Sequence, residues 1–94
     1  MVVNICGIPH DVIEEDIFDD GRMGLIDYIR AKIYLNKALT EQVKAETLCH
    51  KIVHGILTHL GYDEMATNEQ FVQAVGNAIY QAFTIKDMQT EKGA

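Results

Sequence analysis

The stretch from Thr40 to Gly61 constrains this chain most. Thr40 is a good N-cap, and Glu41 in the first turn complements the helix dipole. Gly61 stands where a C′ residue belongs. At about 100° per residue, Ala45, Leu48, Cys49, Ile52, Val53, Ile56 and Leu60 gather on one stripe. The spacing predicts a helix running to about Leu60 with that stripe against the core. In a chain of 94 residues, such a helix is the surface on which the rest must pack.

The segments before it read as β structure. Val2, Val3 and Ile5 favour a strand, Gly7 and Pro9 break it, and Val12 and Ile13 resume it, which predicts a hairpin over Met1 to Glu15. Glu14 to Gly21 is acidic and ends in an Asp-Gly turn signal. Its five carboxylates lack the spacing of a calcium loop, so a solvated loop is expected. Gly24 to Leu35 returns to β character, as two short strands around a turn near Tyr28 to Ala31. After Gly61, Tyr62 to Ala66 is a short link. Thr67-Asn68-Glu69-Gln70 has the capping-box pattern and opens a second helix to about Phe83, with Phe71, Val75, Ala78, Ile79 and Ala82 as its apolar stripe. Glu69 lies on the flank of that stripe. Gly76 falls on the same side two turns later, where a glycine lets another element approach closely. The expectation is an α+β fold: a small antiparallel sheet of three or four strands packed on two helices. It forms one domain over residues 1–88, with 89–94 as a frayed tail.

Composition narrows the partners. Apolar residues make up 48% of the chain, too much for disorder. Net charge is −6 and no Lys/Arg stripe forms, which argues against nucleic-acid binding. No apolar run approaches the roughly 20 residues of a membrane span, and no basic-then-apolar signal peptide is read at the N-terminus. Two cysteines, Cys6 and Cys49, fit a reduced, cytoplasmic protein.

The chemistry concentrates in the first helix. His50 and His54 are four apart, so both imidazoles lie on one side and can reach a single ion. Glu46 precedes them in the same row and suits a hydrogen bond to a ligand imidazole from the second shell. If the two helices pack antiparallel, Glu69 faces both histidines and completes a His/His/Glu set. Zinc accepts that set with a fourth position left for water. Such a pair of histidines also arises by chance on a solvated helix, and Glu69 alone reads equally as a first-turn acid. Lys51 falls away from both rows, towards solvent. Cys49 points into the core stripe, His59 sits at the core edge, and His10 has no partner that spacing names.

Glu46-Thr47-Leu48-Cys49-His50-Lys51-Ile52-Val53-His54-Gly55-Ile56-Leu57 resembles the E-T-L-x-H-E-x-x-H-A-I-L stretch of small zincin-like metallopeptidases. Many of these are phage- or prophage-encoded and distantly similar to the ImmA/IrrE type. Asn68-Glu69-Gln70-Phe71-Val72 is similar to the N/D-E-x-F-V segment that follows in that family. Gly24-Leu25-Ile26-Asp27-Tyr28 with Lys32-Ile33-Tyr34-Leu35 resembles the strand pair before the active-site helix. The likeness covers roughly residues 1–83. It implies a zincin-like fold with His50, His54 and Glu69 as zinc ligands.

The departure lies at Lys51, where the family carries the general-base glutamate. A charged lysine cannot accept a proton, and loss of a general base costs about 10²- to 10⁴-fold in rate. The resemblance therefore implies a zinc-binding domain without a catalytic base and with weak or absent hydrolysis. Such a domain serves a structural role or holds a protein or peptide segment in the former substrate cleft. Two other readings stand beside it. One is an active metallopeptidase relying on metal-activated water or on Glu46. The other is a metal-free protein-interaction module.

Overall fold

The computed structural model describes residues 1–16 and 21–83. Strands β1 (Val2–Ile5) and β2 (Ile8–Glu15) form the predicted hairpin, with Ile5 paired to Ile8. Cys6 and Gly7 close it, and both have positive φ, 52° and 83°. That is the requirement of a two-residue type I′ turn, whose twist matches the strands it joins. Strands β3 (Gly24–Asp27) and β4 (Lys32–Asn36) form a second hairpin around Tyr28 to Ala31. Asp27 Oδ1 accepts from the backbone N–H groups of Ile29 and Arg30, at 3.0 and 3.1 Å, and shapes this turn.

The sheet order is β1-β2-β4-β3. Each hairpin is antiparallel, but the central pairing of β2 with β4 is parallel, from Asp11↔Lys32 to Glu15↔Asn36. The sheet is therefore mixed rather than wholly antiparallel. Local turn chemistry fixes each hairpin, whereas the joining of two hairpins is a long-range choice that turn residues do not encode. Of the acidic segment, Glu14 and Glu15 belong to β2, and Ile17 to Asp20 lie outside the described residues. Glu14 is not a solvated loop acid. It accepts from the buried Lys44 Nζ at 2.9 Å, and Glu41 accepts from the same ammonium at 3.2 Å.

Helix α1 (Glu41–His59) starts as expected, with the Thr40 side chain accepting from the Val43 N–H. It ends in a Schellman arrangement. Tyr62 N–H donates to Leu57 C=O and Gly61 N–H to Thr58 C=O, with Gly61 at φ 85°. The link after it contains a one-turn helix, α2 (Asp63–Ala66), so the described residues hold three helices rather than two. The Thr67 hydroxyl is consumed at the end of α2, donating to the carbonyl oxygens of Asp63 and Glu64. The cap of α3 (Glu69–Ala82) falls instead to Asn68, which accepts from Phe71 N–H at 3.1 Å.

The layers are sheet, then α1, then α3, since α3 packs on α1 rather than on the sheet. Ile5, Ile33, Leu35 and Leu48 form the core, flanked by Val3, Val12, Ile26, Ile52 and Ile56. Gly55 lies against the sheet, where a methyl group would come to 2.9 Å from Ile5 Cδ1. Leu60, expected in the stripe, is exposed, because the helix has already ended beyond the sheet. On α3 the residues buried against α1 are Val72 and Gly76, while Ala78 and Ala82 are exposed. The buried face is thus rotated from the expected stripe, because a glycine and not an apolar side chain makes the closest approach. The expected tail, 89–94, lies outside the described residues.

Candidate metal centre

Two helices position this site. His50 and His54 project from the middle of α1, and Glu69 is the first residue of α3. The antiparallel packing of α3 on α1 brings that residue over the two imidazoles. Gly76 is what permits the approach: a methyl group there would lie 3.3 Å from His50 Cα and 3.5 Å from His50 N.

The three side chains converge through their tips. His50 Nε2 is 3.0 Å from Glu69 Oε1, His54 Nε2 is 3.2 Å from Glu69 Oε2, and the two Nε2 atoms are 3.2 Å apart. Ligand atoms about 2.0–2.1 Å from one zinc ion at tetrahedral angles lie roughly 3.3–3.4 Å apart. The observed separations are close to that edge length. Both imidazoles are mostly enclosed, while the Glu69 side chain is 67% exposed, so the open side of the cluster faces out past the carboxylate.

Hydrogen bonding says which form of His50 is present. Gln73 Nε2 donates to Asn77 Oδ1 at 3.1 Å, which turns Gln73 Oε1 towards His50 Nδ1 at 2.9 Å. An amide oxygen only accepts, so Nδ1 carries a hydrogen and, in a neutral ring, Nε2 is a bare lone pair. That lone pair faces a carboxylate oxygen and a second imidazole nitrogen. His50 Nε2, His54 Nε2 and the Glu69 carboxylate meet at 3.0–3.2 Å, an arrangement satisfied either by a hydrogen on His54 Nε2 or by a cation held among the three. The chemistry of the donor set therefore fits a divalent ion. Burial by itself would raise the Glu69 carboxyl, but the His54 and His50 rings outweigh it and leave its pKa lowered.

The other expected residues divide. Cys49 is buried in the core and outside the cluster, and burial, with Glu46 nearby, pushes its thiol up. Glu46 does not orient His50. Gln73 makes that bond, and the sequence signal was available, since Gln73 lies four residues after Glu69 on the same helix face. Lys51 is not directed to solvent. It is half-buried and lines a cavity of about 500 Å³ with Arg22, Met23, Gly24, Val43, Glu46, Thr47, His50 and Gln73. The helical wheel misplaced it because α1 is covered on two sides, leaving little of its circumference to water. Burial chiefly pulls the Lys51 ammonium below the ordinary lysine range, with Glu69 opposing this and Arg22 adding to it. His10, which spacing left without a partner, is fully buried and its Nδ1–H donates to Ile8 C=O at 2.8 Å. His59 is exposed and meets His10 and Tyr28 edge-on.

Comparison with protein-family models, with curated proteins and with solved structures returned no match. Among the described residues, no helix is long and apolar enough to cross a membrane.

Proposed function

We propose that this protein is a metal-binding domain in which His50, His54 and Glu69 hold one zinc ion, with hydrolytic activity weak or absent. The observation that carries this reading is the convergence of two imidazole nitrogens and a carboxylate at 3.0–3.2 Å, with the His50 lone pair turned inward by Gln73. A bound zinc ion would supply Lewis acidity and a lowered pKa for its water. The chain's own residues supply little to follow that. Glu69 is committed to the two histidines, and Lys51 stands where the resembled zincin-like metallopeptidases carry a general base. Glu46 shares the cavity wall with His50 but has no bond to either histidine that would aim it at the cluster. The fourth position then serves to bind a group on a ligand rather than to activate water for attack. A prophage-encoded, cytoplasmic setting and a peptide or protein segment as partner belong to the same reading.

Metal content of untagged protein tests it. The expected result is one zinc per chain, lost in His54→Ala and Glu69→Ala. Zinc absent from the wild type after loading and dialysis overturns the reading and leaves a metal-free interaction module. A peptidase assay on wild type beside Lys51→Glu tests the catalytic half. The variant is expected to be the faster of the two, and a wild type that cleaves peptide measurably and as fast as the variant would return it to the active peptidases.

A further inference from the structure

The core of this fold has two parts, and only one of them needs α3. Ile5, Ile33, Leu35 and Leu48 join the sheet to α1 without any residue of α3. Cys49, Val53 and Val72 are buried outside that cluster, on the side of α1 that α3 covers. The buried residues that α3 itself brings are Val72 and Gly76. Among the described residues, the side-chain hydrogen bonds from α3 to another element come from Glu69 and Gln73, and each ends on His50 or His54. The polar attachment of α3 and the candidate metal centre are thus one group of side chains. A helix of 14 residues is marginal in water once it has nothing to lie on.

We infer that the ion is a clasp for α3. Held by His50, His54 and Glu69, it keeps α3 docked on α1, and its loss frees α3 to detach and unwind while the sheet and α1 keep their packing. This deepens the zinc reading above and rests on it. Two of the ligands stand on α1 and the third on α3, so the full set exists only in the docked form. The open form keeps the histidine pair alone. An ion shifts such an equilibrium by the ratio of its affinities for the two forms. At free zinc 100 times Kd, with weak binding to the open form, the docked-to-open ratio rises by up to about 100-fold. The docked helix lies so close that a methyl group on Gly76 would come to 3.8 Å from the Cys49 carbonyl carbon. Detachment therefore uncovers Cys49, which is otherwise buried. Zinc occupancy governs whether that face of α1 is covered.

Thiol modification and amide exchange on the full chain test the inference. Cys6, exposed in the first hairpin turn, is replaced by Cys6→Ser so that Cys49 is the one thiol left. Zinc-loaded and zinc-free samples are compared, with zinc content measured on each. Zinc is expected to slow the reaction of Cys49 with N-ethylmaleimide about tenfold or more. It should slow amide exchange at Val72 and Gly76 by a similar factor and leave the amides of Ile33 and Leu35 in β4 unchanged. Glu69→Gln, which leaves the histidine pair in place, should abolish both effects. One zinc per chain with Cys49 and α3 reacting at the zinc-free rates overturns the inference while the zinc reading stands. Loss of protection at Ile33 and Leu35 together with α3 on zinc removal also overturns it, since the ion would then hold the whole fold. A protein that takes up no zinc overturns the zinc reading and the clasp with it.

Discussion

Gly76 on α3 faces the backbone of His50 on α1, so closely that a methyl group there would press on it. The first hypothetical contact would be His50 Cα at 3.3 Å, and helix backbone yields less readily than a side-chain end. The separation of Glu69 from the two histidines is therefore set by a residue two turns along its own helix.

Gly76→Ala is expected to loosen the site. Alanine gains up to about 1 kcal/mol in helix propensity, and overpacking of a close contact costs typically 1–3 kcal/mol. The net expectation is a loss of about 1 kcal/mol in stability with a larger fractional loss in zinc affinity. Gly55→Ala is the control, since its nearest contacts are the Ile5 and Ile26 methyl ends, which can shift. It should leave zinc affinity unchanged. Denaturant melts and competitive zinc titrations on both variants check this, and equal zinc affinity in the two would refute it.

Gln73→Ala should weaken zinc binding by about 10- to 100-fold, the usual effect of removing a group that orients a ligand histidine. Gln73→Glu keeps an acceptor for the His50 Nδ1–H and should retain most of the affinity. An Asn77→Ala substitution frees the Gln73 amide to turn over, so its effect should be smaller and in the same direction as Gln73→Ala.

Zinc should stabilise the fold through linkage. At a free concentration 100 times Kd the gain is about 2.7 kcal/mol, which for a chain of this size corresponds to a rise in Tm on the order of 10 °C or more. Differential scanning calorimetry should find that rise in the wild type and not in His54→Ala. A rise of similar size in both proteins would place the ion elsewhere.

Asp27 predicts an acid-sensitive turn. The Arg30 backbone N–H, foremost, and the Arg30 guanidinium hold its carboxyl below the ordinary aspartate range, against a smaller opposing effect of burial. A lowered folded-state pKa means that its stabilising contribution is complete above the unfolded value, near pH 4. It is lost as pH falls through the lower folded value. The amide resonances of Ile29 and Arg30 should titrate with a midpoint below the ordinary aspartate value, and Asp27→Asn should abolish that titration. An ordinary midpoint would mean that the turn does not hold Asp27 charged.

The sequence by itself determined the two hairpins, the long helix with its Thr40 cap and Gly61 stop, and the second helix opening beside Glu69. These rest on turn chemistry, caps and periodicity, which act over a few residues. It also determined that His50 and His54 share a helix face, and it marked Gly76 as a point of close approach. Only the tertiary structure decided the parallel pairing of β2 with β4, the passage of the cap from Thr67 to Asn68, and the burial of Lys44 against Glu14. It alone turned Lys51 into a cavity and assigned the orienting bond on His50 to Gln73 rather than Glu46. Each of these depends on which surfaces meet across the fold. A single helix pattern reports which residues share a side, but not how many sides its neighbours will cover.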